Sequence, residues 1–159
     1  MGKNMSPKIV SKIRLVAAIL IAAGTVLGFC LPQNAFCGSV NNREEKAVLK
    51  AVRTFLDAEI RRDYPAVYAC FAPSSVYVRT HTYKQYVTDA KVASDRVVAY
   101  QIVRVSYIQN NNDPQTITTA DKIAQVEVEI TFLQEGTNRK SVVNIGLIFL
   151  KEGGNWYKS

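Results

Sequence analysis

The sequence predicts an α+β domain in which a long helix and two short helices pack on a strongly curved antiparallel sheet of about four strands. Two observations predict this class. Between residues 43 and 93, apolar side chains recur every three or four positions, which is the spacing of an amphipathic helix. After Asp95, apolar and polar side chains alternate, which is typical of strands with one buried face. The chain has 159 residues, so we expect one packed core.

The helical half begins with a long amphipathic helix over residues 43–62. Its apolar face is formed by Val48, Val52, Phe55, Leu56 and Ile60. Asp63 can cap a second helix, because its carboxylate can accept a hydrogen bond from an amide of the first turn. Pro65 fits that turn, where its missing N–H group costs nothing. We expect the second helix to end near Ala72.

A third helix is predicted from Tyr83 to about Ala93. Thr82 and Gln85 stand three residues apart at its start. This spacing is that of a capping box, in which each side chain accepts a hydrogen bond from the backbone amide of the other residue.

Four strands are predicted to follow, and the first covers residues 96–108. The second carries an apolar stripe made of Ala124, Val126, Val128, Ile130 and Phe132. The third, residues 141–151, returns with the stripe Val143, Ile145, Leu147 and Phe149. The fourth is residues 156–158. Because glycine weakens a regular strand, Gly146 is expected to mark a bulge or a bend.

Residues 1–37 have the parts of a secretory signal peptide, namely a basic start, an apolar segment and a small-residue boundary. The apolar segment begins at Leu15, and no charged residue occurs from there to Asn42. It is preceded by the basic residues Lys3, Lys8, Lys12 and Arg14. The positive-inside rule keeps this basic start in the cytoplasm, so the rest of the chain is expected to be exported.

Cleavage after Cys37 would leave a linker at residues 38–42 and one α+β domain at residues 43–159. We expect that domain in the periplasm or outside the cell. An uncleaved inner-membrane anchor is the alternative, since the apolar segment is near the lower length limit for crossing a bilayer. Lipidation at Cys30 or Cys37 is disfavoured, because a bulky Phe precedes each. Both main interpretations place the domain outside the cytoplasm.

The charge pattern argues against a nucleic-acid partner. The formal net charge is +7, yet four of the 20 basic residues precede the apolar segment and all 13 acidic residues follow it. The remaining excess of three basic residues is typical of an ordinary soluble surface. The chain has a single His and no CxxC pair, so we predict neither a metal site nor a cofactor. Cys70 is expected to be a small buried hydrophobic residue.

Four segments together resemble the nuclear transport factor 2-like superfamily. They are residues 47–56, 63–68, 82–86 and 152–157, and the resemblance covers about residues 43–158. It is one of order and pattern, and it implies a cone-shaped α+β fold. It leaves the role open, because the superfamily includes isomerases, dehydratases, ligand carriers and non-catalytic accessory domains.

An enzyme of this fold would need a carboxylate or His base and a Tyr hydroxyl in the mouth of the cone. The candidates are Asp63, Tyr64, Tyr68, His81 and Tyr100. Each has a simpler role, with Asp63 as a helix cap, the tyrosines as packing residues and His81 in a solvent-exposed loop. The apolar stripes of the strands contain no ionisable group. No catalytic residue is therefore predicted.

The favoured interpretation is an exported, non-catalytic binding or accessory domain. A small apolar ligand in the cone would contact Tyr64, Tyr68, Tyr100, Phe132 and Phe149. Two alternatives remain open: a membrane-anchored scaffold subunit of an envelope assembly, and a small isomerase-like or dehydratase-like enzyme. Contact with the membrane is expected only through the N-terminal segment. The family resemblance adds a homodimer formed through the sheet.

Overall fold

The computed structural model describes residues 42–114 and 119–159. Four helices come first: α1 (Asn42–Arg61), α2 (Tyr64–Ala69), α3 (Val76–Thr80) and α4 (Tyr83–Val92). Four strands follow: β1 (Asp95–Asn110), β2 (Lys122–Gln134), β3 (Arg139–Glu152) and β4 (Asn155–Lys158). This arrangement confirms the predicted α+β class. The predicted signal peptide and cleavage site lie outside the described residues and stay predictions.

The strands form one antiparallel sheet in the order β1-β2-β3-β4. The β3–β4 turn is a two-residue hairpin whose central residues, Gly153 and Gly154, both have positive φ. The β1–β2 pairing shifts register at three places. They lie between residues 97 and 99, between residues 102 and 104, and between residues 105 and 107. Such shifts are bulges that bend a sheet and increase its twist.

The predicted bulge at Gly146 is wrong, because β2 and β3 pair without a register shift. Gly146 lies opposite Glu127, and the side chain of Gln125 extends over it. A Cβ atom added to Gly146 would stand 2.5 Å from Nε2 of Gln125. Glycine is present here because a neighbouring side chain occupies the space above it.

The core lies between α1 and the inner face of the sheet. Its fully buried side chains include Val48, Val52, Leu56, Val126, Val128 and Phe149. Each such aliphatic or aromatic side chain contributes roughly 1.5–3 kcal/mol of burial free energy. The predicted stripe of β2 is buried from Ala124 to Ile130. Val143, however, is 41% exposed, because the helices leave the first half of β3 uncovered.

Helix α2 begins as predicted, with Oδ1 of Asp63 accepting a hydrogen bond of 3.2 Å from the amide of Ala66. It ends at Ala69 and not near Ala72, because the backbone that follows forms hydrogen bonds with β4. The amide of Lys158 donates to the carbonyl of Cys70 at 2.7 Å, and the amide of Ala72 donates to the carbonyl of Lys158 at 2.8 Å. Tertiary pairing thus shortens this helix.

The sequence interpretation omits one short helix, α3. Ser75 caps it by accepting a hydrogen bond of 3.2 Å from the amide of Val78. Its five residues include two β-branched valines and a threonine, which favour strands, so the sequence pattern gives no helical signal. No helix in the described part of the chain is both long and apolar enough to cross a membrane.

The predicted capping box at the start of α4 is confirmed. The amide of Gln85 donates to Oγ1 of Thr82 at 3.3 Å, and the amide of Thr82 donates to Oε1 of Gln85 at 2.8 Å. Two amides that the helix leaves unbonded are thereby satisfied.

Candidate functional site

A cleft of about 450 Å³ lies beside α1, between that helix, the end of α2 and the β3–β4 hairpin. The hairpin supplies an aromatic wall, which consists of the side chains of Phe149 and Trp156; Tyr157 also lines the cleft, but its ring packs on the other face of the sheet against Leu150. Ala47 and Ala51 face the cleft one helical turn apart, and their small side chains leave the space beside α1 open. The cleft thus has the size and the apolar lining of a small-molecule site.

The aromatic wall is held by an ionic network at the start of α1. The indole Nε1 of Trp156 donates a hydrogen bond of 3.3 Å to Oε2 of Glu44. Oε1 of Glu44 accepts from Nζ of Lys151 at 2.6 Å and from Nζ of Lys122 at 3.3 Å. The hydrogen bond from Lys151 is the largest of the influences that lower the pKa of Glu44. The carboxylate therefore stays ionised near neutral pH and fixes the ring of Trp156.

Lys50 is the only described residue of the lining that carries a formal charge at neutral pH. Its side chain is exposed, so its ammonium group remains hydrated and charged. An aromatic wall next to a single cation is an environment that suits an amphipathic anion.

The thiol of Cys70 also lines the cleft and is half-buried. Burial raises its pKa, and the negative charge of Glu59 raises it further. The thiol is therefore protonated at neutral pH, and a protonated thiol is a poor nucleophile. This agrees with a packing role for Cys70.

Five tyrosines form a second feature, the tyrosine cluster, made of Tyr64, Tyr68, Tyr77, Tyr83 and Tyr86. Neighbouring ring centroids lie 5.4 to 6.3 Å apart, mostly edge to face, which is a favourable geometry for aromatic pairs. The hydroxyl of Tyr68 donates to the carbonyl of His81 at 2.9 Å. His81 lies in a loop, as predicted, but it is half-buried and its ring stacks on Tyr77 with the ring centroids 4.5 Å apart.

Glu59 lies next to the tyrosine cluster, and the sequence interpretation missed it. Burial raises the pKa of its carboxyl group to about 7, and no described residue donates a hydrogen bond to that group. Burial raises the pKa of Tyr77 and of Tyr86, and the negative charge of Glu59 makes a smaller contribution in the same direction. The sequence contains a signal for this residue, because a glutamate at position 59 continues the spacing of Val52 and Phe55 on the apolar face of α1.

The five predicted ligand contacts all belong to the main core or pack against it, and their contact with a ligand stays a prediction. Phe149 lines the cleft, whereas Tyr64 and Tyr68 lie in the tyrosine cluster. The hydroxyl of Tyr100 donates to Asp57, and Phe132 is half-buried on β2. Among residues 42–114 and 119–159, no group of three or more His, Cys, Asp or Glu side chains could hold a metal ion.

Comparisons with known proteins found two solved structures of limited likeness. No protein-family model matches the chain. No curated protein matches it either. A solved NTF2-like protein of unknown function from Prochlorococcus sp. NATL2A is 15% identical, with a TM-score of 0.47 over 74% of this chain and 87% of that one. A ketosteroid isomerase-like protein from Erwinia carotovora atroseptica is 18% identical, with a TM-score of 0.47 over 74% of this chain and 92% of that one.

The first of these structures is named for the superfamily that the sequence resembles. At this degree of likeness, neither structure says anything of a ligand or an activity for this chain. The candidate site is therefore judged on its own residues.

Proposed function

We propose that the domain binds a small amphipathic anion in the cleft beside α1. The apolar part of the ligand would lie on the aromatic wall, and its anionic group would face Lys50. The observation that carries the proposal is a cleft of about 450 Å³ that joins the aromatic side chains of Phe149 and Trp156 to a single cation. Small-molecule sites commonly have volumes of roughly 300–1,000 Å³ and a mostly apolar lining with few polar groups.

The proposal is one of binding without chemistry at this cleft. The lining has no carboxylate or imidazole that could act as a general base, and the Cys70 thiol is protonated. A carboxylate, a sulfonate or a phosphate monoester would each satisfy Lys50.

The single tryptophan of the chain reports on this cleft directly, because Trp156 is part of the wall. Two probes of similar shape separate charge from apolar contact: the anion 8-anilinonaphthalene-1-sulfonate and the uncharged N-phenyl-1-naphthylamine. We expect both to quench the fluorescence of Trp156. Lys50→Gln should weaken binding of the anion about fivefold, which corresponds to about 1 kcal/mol, and leave the neutral probe unchanged.

Lys46→Gln is the matched control, because Lys46 is also exposed on α1 but does not line the cleft. It should leave the affinity of both probes unchanged. The proposal fails if neither probe quenches Trp156, or if the two lysine variants weaken the anion equally.

A second function is favoured by one observation, the half-buried carboxyl group of Glu59. A carboxyl group with a pKa of about 7 among apolar and aromatic side chains is suited to proton transfer at neutral pH. The reaction class would be removal of a proton next to a carbonyl or imine group, as in an isomerase or a dehydratase.

This second function can be tested with 5-nitrobenzisoxazole, whose ring opens when a base removes one proton. We expect turnover that rises with pH around 7 and is abolished by Glu59→Gln. Glu129→Gln, which changes an exposed carboxylate of β2, should keep the activity. Equal rates for the two variants would rule out Glu59 as the base.

Export of the domain is the third part of the proposal, and its support is the basic and apolar pattern before residue 38. Fractionation of expressing cells and the mass of the isolated chain test it. We expect a chain that begins at Gly38 in the periplasm or the medium. An intact chain in the membrane fraction would favour the anchored scaffold, and an intact chain in the cytosol would contradict both versions.

A further inference from the structure

The exposed side of α1 is strongly basic. Five basic residues follow one another along this helix with spacings of three, four, three and eight positions. At 3.6 residues per turn, these spacings place all five within about a quarter of the helix circumference. Each of the five is exposed. We call this surface the basic face, and it consists of Arg43, Lys46, Lys50, Arg53 and Arg61.

The acidic residues of α1 do not neutralise the basic face. Glu44 accepts hydrogen bonds from two lysines of the sheet, and Glu45 and Glu59 are half-buried. Asp57 lies nearest to the basic face, and its Oδ1 accepts the hydrogen bond from Tyr100 of β1. From position 46 onwards, no basic residue of this face forms an ion pair with any residue that the structure describes. The face is therefore left with an excess of positive charge.

The composition of the basic face indicates what kind of partner it fits. The residues that lie among its basic side chains are small, namely Ala47 and Thr54, and both are exposed. The exposed large apolar side chains of the described structure all lie outside α1. Protein partners are held mainly by a few large aromatic or arginine anchors in well-packed pockets. A lipid surface with anionic headgroups, in contrast, attracts clusters of Lys and Arg by charge alone.

The shape of the basic face also suits a lipid surface. Arg43 and Arg61 are five helical turns apart, which corresponds to about 27 Å along the axis of α1. The core and the sheet lie on the opposite side of this helix, so they do not obstruct the approach of an extended surface. The five cations thus form one straight row that can contact a plane together.

The place of α1 in the chain adds an independent argument. The apolar segment extends from Leu15 to Pro32, and α1 begins at Asn42. If that segment is retained as an anchor, only residues 33–41 connect it to α1. Nine extended residues span at most about 30 Å. The first helix after the expected membrane-crossing segment is thus also the one that carries the basic face.

We propose that the basic face docks electrostatically on a bilayer surface that contains anionic phospholipids. Its Lys and Arg side chains contact the headgroup phosphates, and the sheet lies on the far side of α1 from the bilayer. This contact adds to the one expected through the N-terminal segment. The inference does not rest on the proposed ligand site, because Lys50 is the one residue of this face that also lines the cleft.

Acetylation of lysines in the presence of vesicles tests the proposal on the full chain, whether or not its apolar segment is retained. The rate at each lysine is measured by mass spectrometry, with vesicles of phosphatidylcholine alone and with vesicles that also contain phosphatidylglycerol. We expect the anionic vesicles to slow acetylation of Lys46 and Lys50 about fivefold, and high salt to reverse this protection. Lys84 and Lys91, which are exposed on α4, should react equally with both kinds of vesicle.

Two double variants with the same change in net charge separate the basic face from the overall charge. Lys46→Gln combined with Arg53→Gln should return the acetylation rate of Lys50 to its value with neutral vesicles. Lys84→Gln combined with Lys91→Gln should leave the protection of Lys50 intact. All four positions are exposed on helices, and glutamine has a helix propensity close to that of Lys and Arg, so both variants should fold.

Three results would overturn the proposal. They are unprotected Lys46 and Lys50 with anionic vesicles, equal protection of Lys84 and Lys91, and protection of Lys50 that survives the change of Lys46 and Arg53. Heparin, a soluble polyanion, is tested in parallel. Protection by heparin without protection by anionic vesicles would assign the basic face to a polyanion and would also overturn the proposal.

Discussion

The hydroxyl of Tyr100 donates a hydrogen bond of 2.8 Å to Oδ1 of Asp57, which joins the first strand to the long helix across 43 residues of sequence. Burial raises the pKa of Tyr100 to about 12, with a further contribution from this hydrogen bond. The hydroxyl is therefore a donor throughout the neutral range. The contact ties β1 to α1 beside the packing of their apolar side chains.

Tyr100→Phe should lower the free energy of unfolding by about 1 kcal/mol, because it removes this hydrogen bond and leaves the ring in place. Urea denaturation measures the change. Tyr107→Phe is the matched control on the same strand, since the hydroxyl of Tyr107 has no hydrogen-bond partner among the described residues. Equal losses in the two variants would show that the bond to Asp57 adds no stability.

Glu59 should make stability depend on pH. Its pKa rises from 4.5 to about 7 on folding, so the folded state holds the proton more tightly than the unfolded state does. Stability is therefore lost as pH rises from about 4.5 to 7 and is constant above that range. Glu59→Gln removes this dependence. The free energy of unfolding of the variant, minus that of the wild type, should therefore rise by about 3 kcal/mol as the pH is raised from 4 to 8.

Denaturation curves at several pH values measure this difference. Glu129→Gln should retain the wild-type pH dependence. A Glu59→Gln protein whose stability still falls over this range would mean that another group is responsible.

Gly146 and Gln125 should be energetically coupled, because a Cβ at position 146 would meet the end of the Gln125 side chain. Gly146→Ala should lower the free energy of unfolding more in the wild-type background than in a Gln125→Ala background. We expect a difference of about 0.5–1 kcal/mol from a double-mutant cycle of unfolding free energies. Additive effects would argue against the contact.

Thr82→Ala should destabilise the protein by about 1 kcal/mol, because it removes the cap of α4 and half of the capping box. Thr82→Ser keeps the hydroxyl and should recover most of that loss. Thermal or urea unfolding of the three proteins measures the effect. An alanine variant as stable as the serine variant would show that the cap contributes nothing.

Several elements could be predicted because their signal is local. The apolar face of α1, the cap at Asp63 and the pair Thr82 and Gln85 depend on residues that are close in sequence. The stripe from Ala124 to Ile130 depends only on alternation along one strand.

The candidate site could not be predicted in this way. The cleft brings Lys50 of α1 next to Trp156 of β4, and these residues are brought together only when the hairpin packs on the helix. The five aromatic residues predicted as ligand contacts were selected by type, and Phe149 is the one of them that lines this cleft. The exposure of Val143 also depends on how far the helices reach across the sheet.

The sequence by itself determined the α+β class, the order of the elements, three of the four helices and the alternating stripe of β2, since each follows from the hydrogen bonding and hydrophobic period of a short segment. Only the tertiary structure decided the end of α2, the partial burial of Glu59 and the cleft. Burial, desolvation and edge pairing depend on which distant segments come into contact, and no pattern within a single segment contains that information.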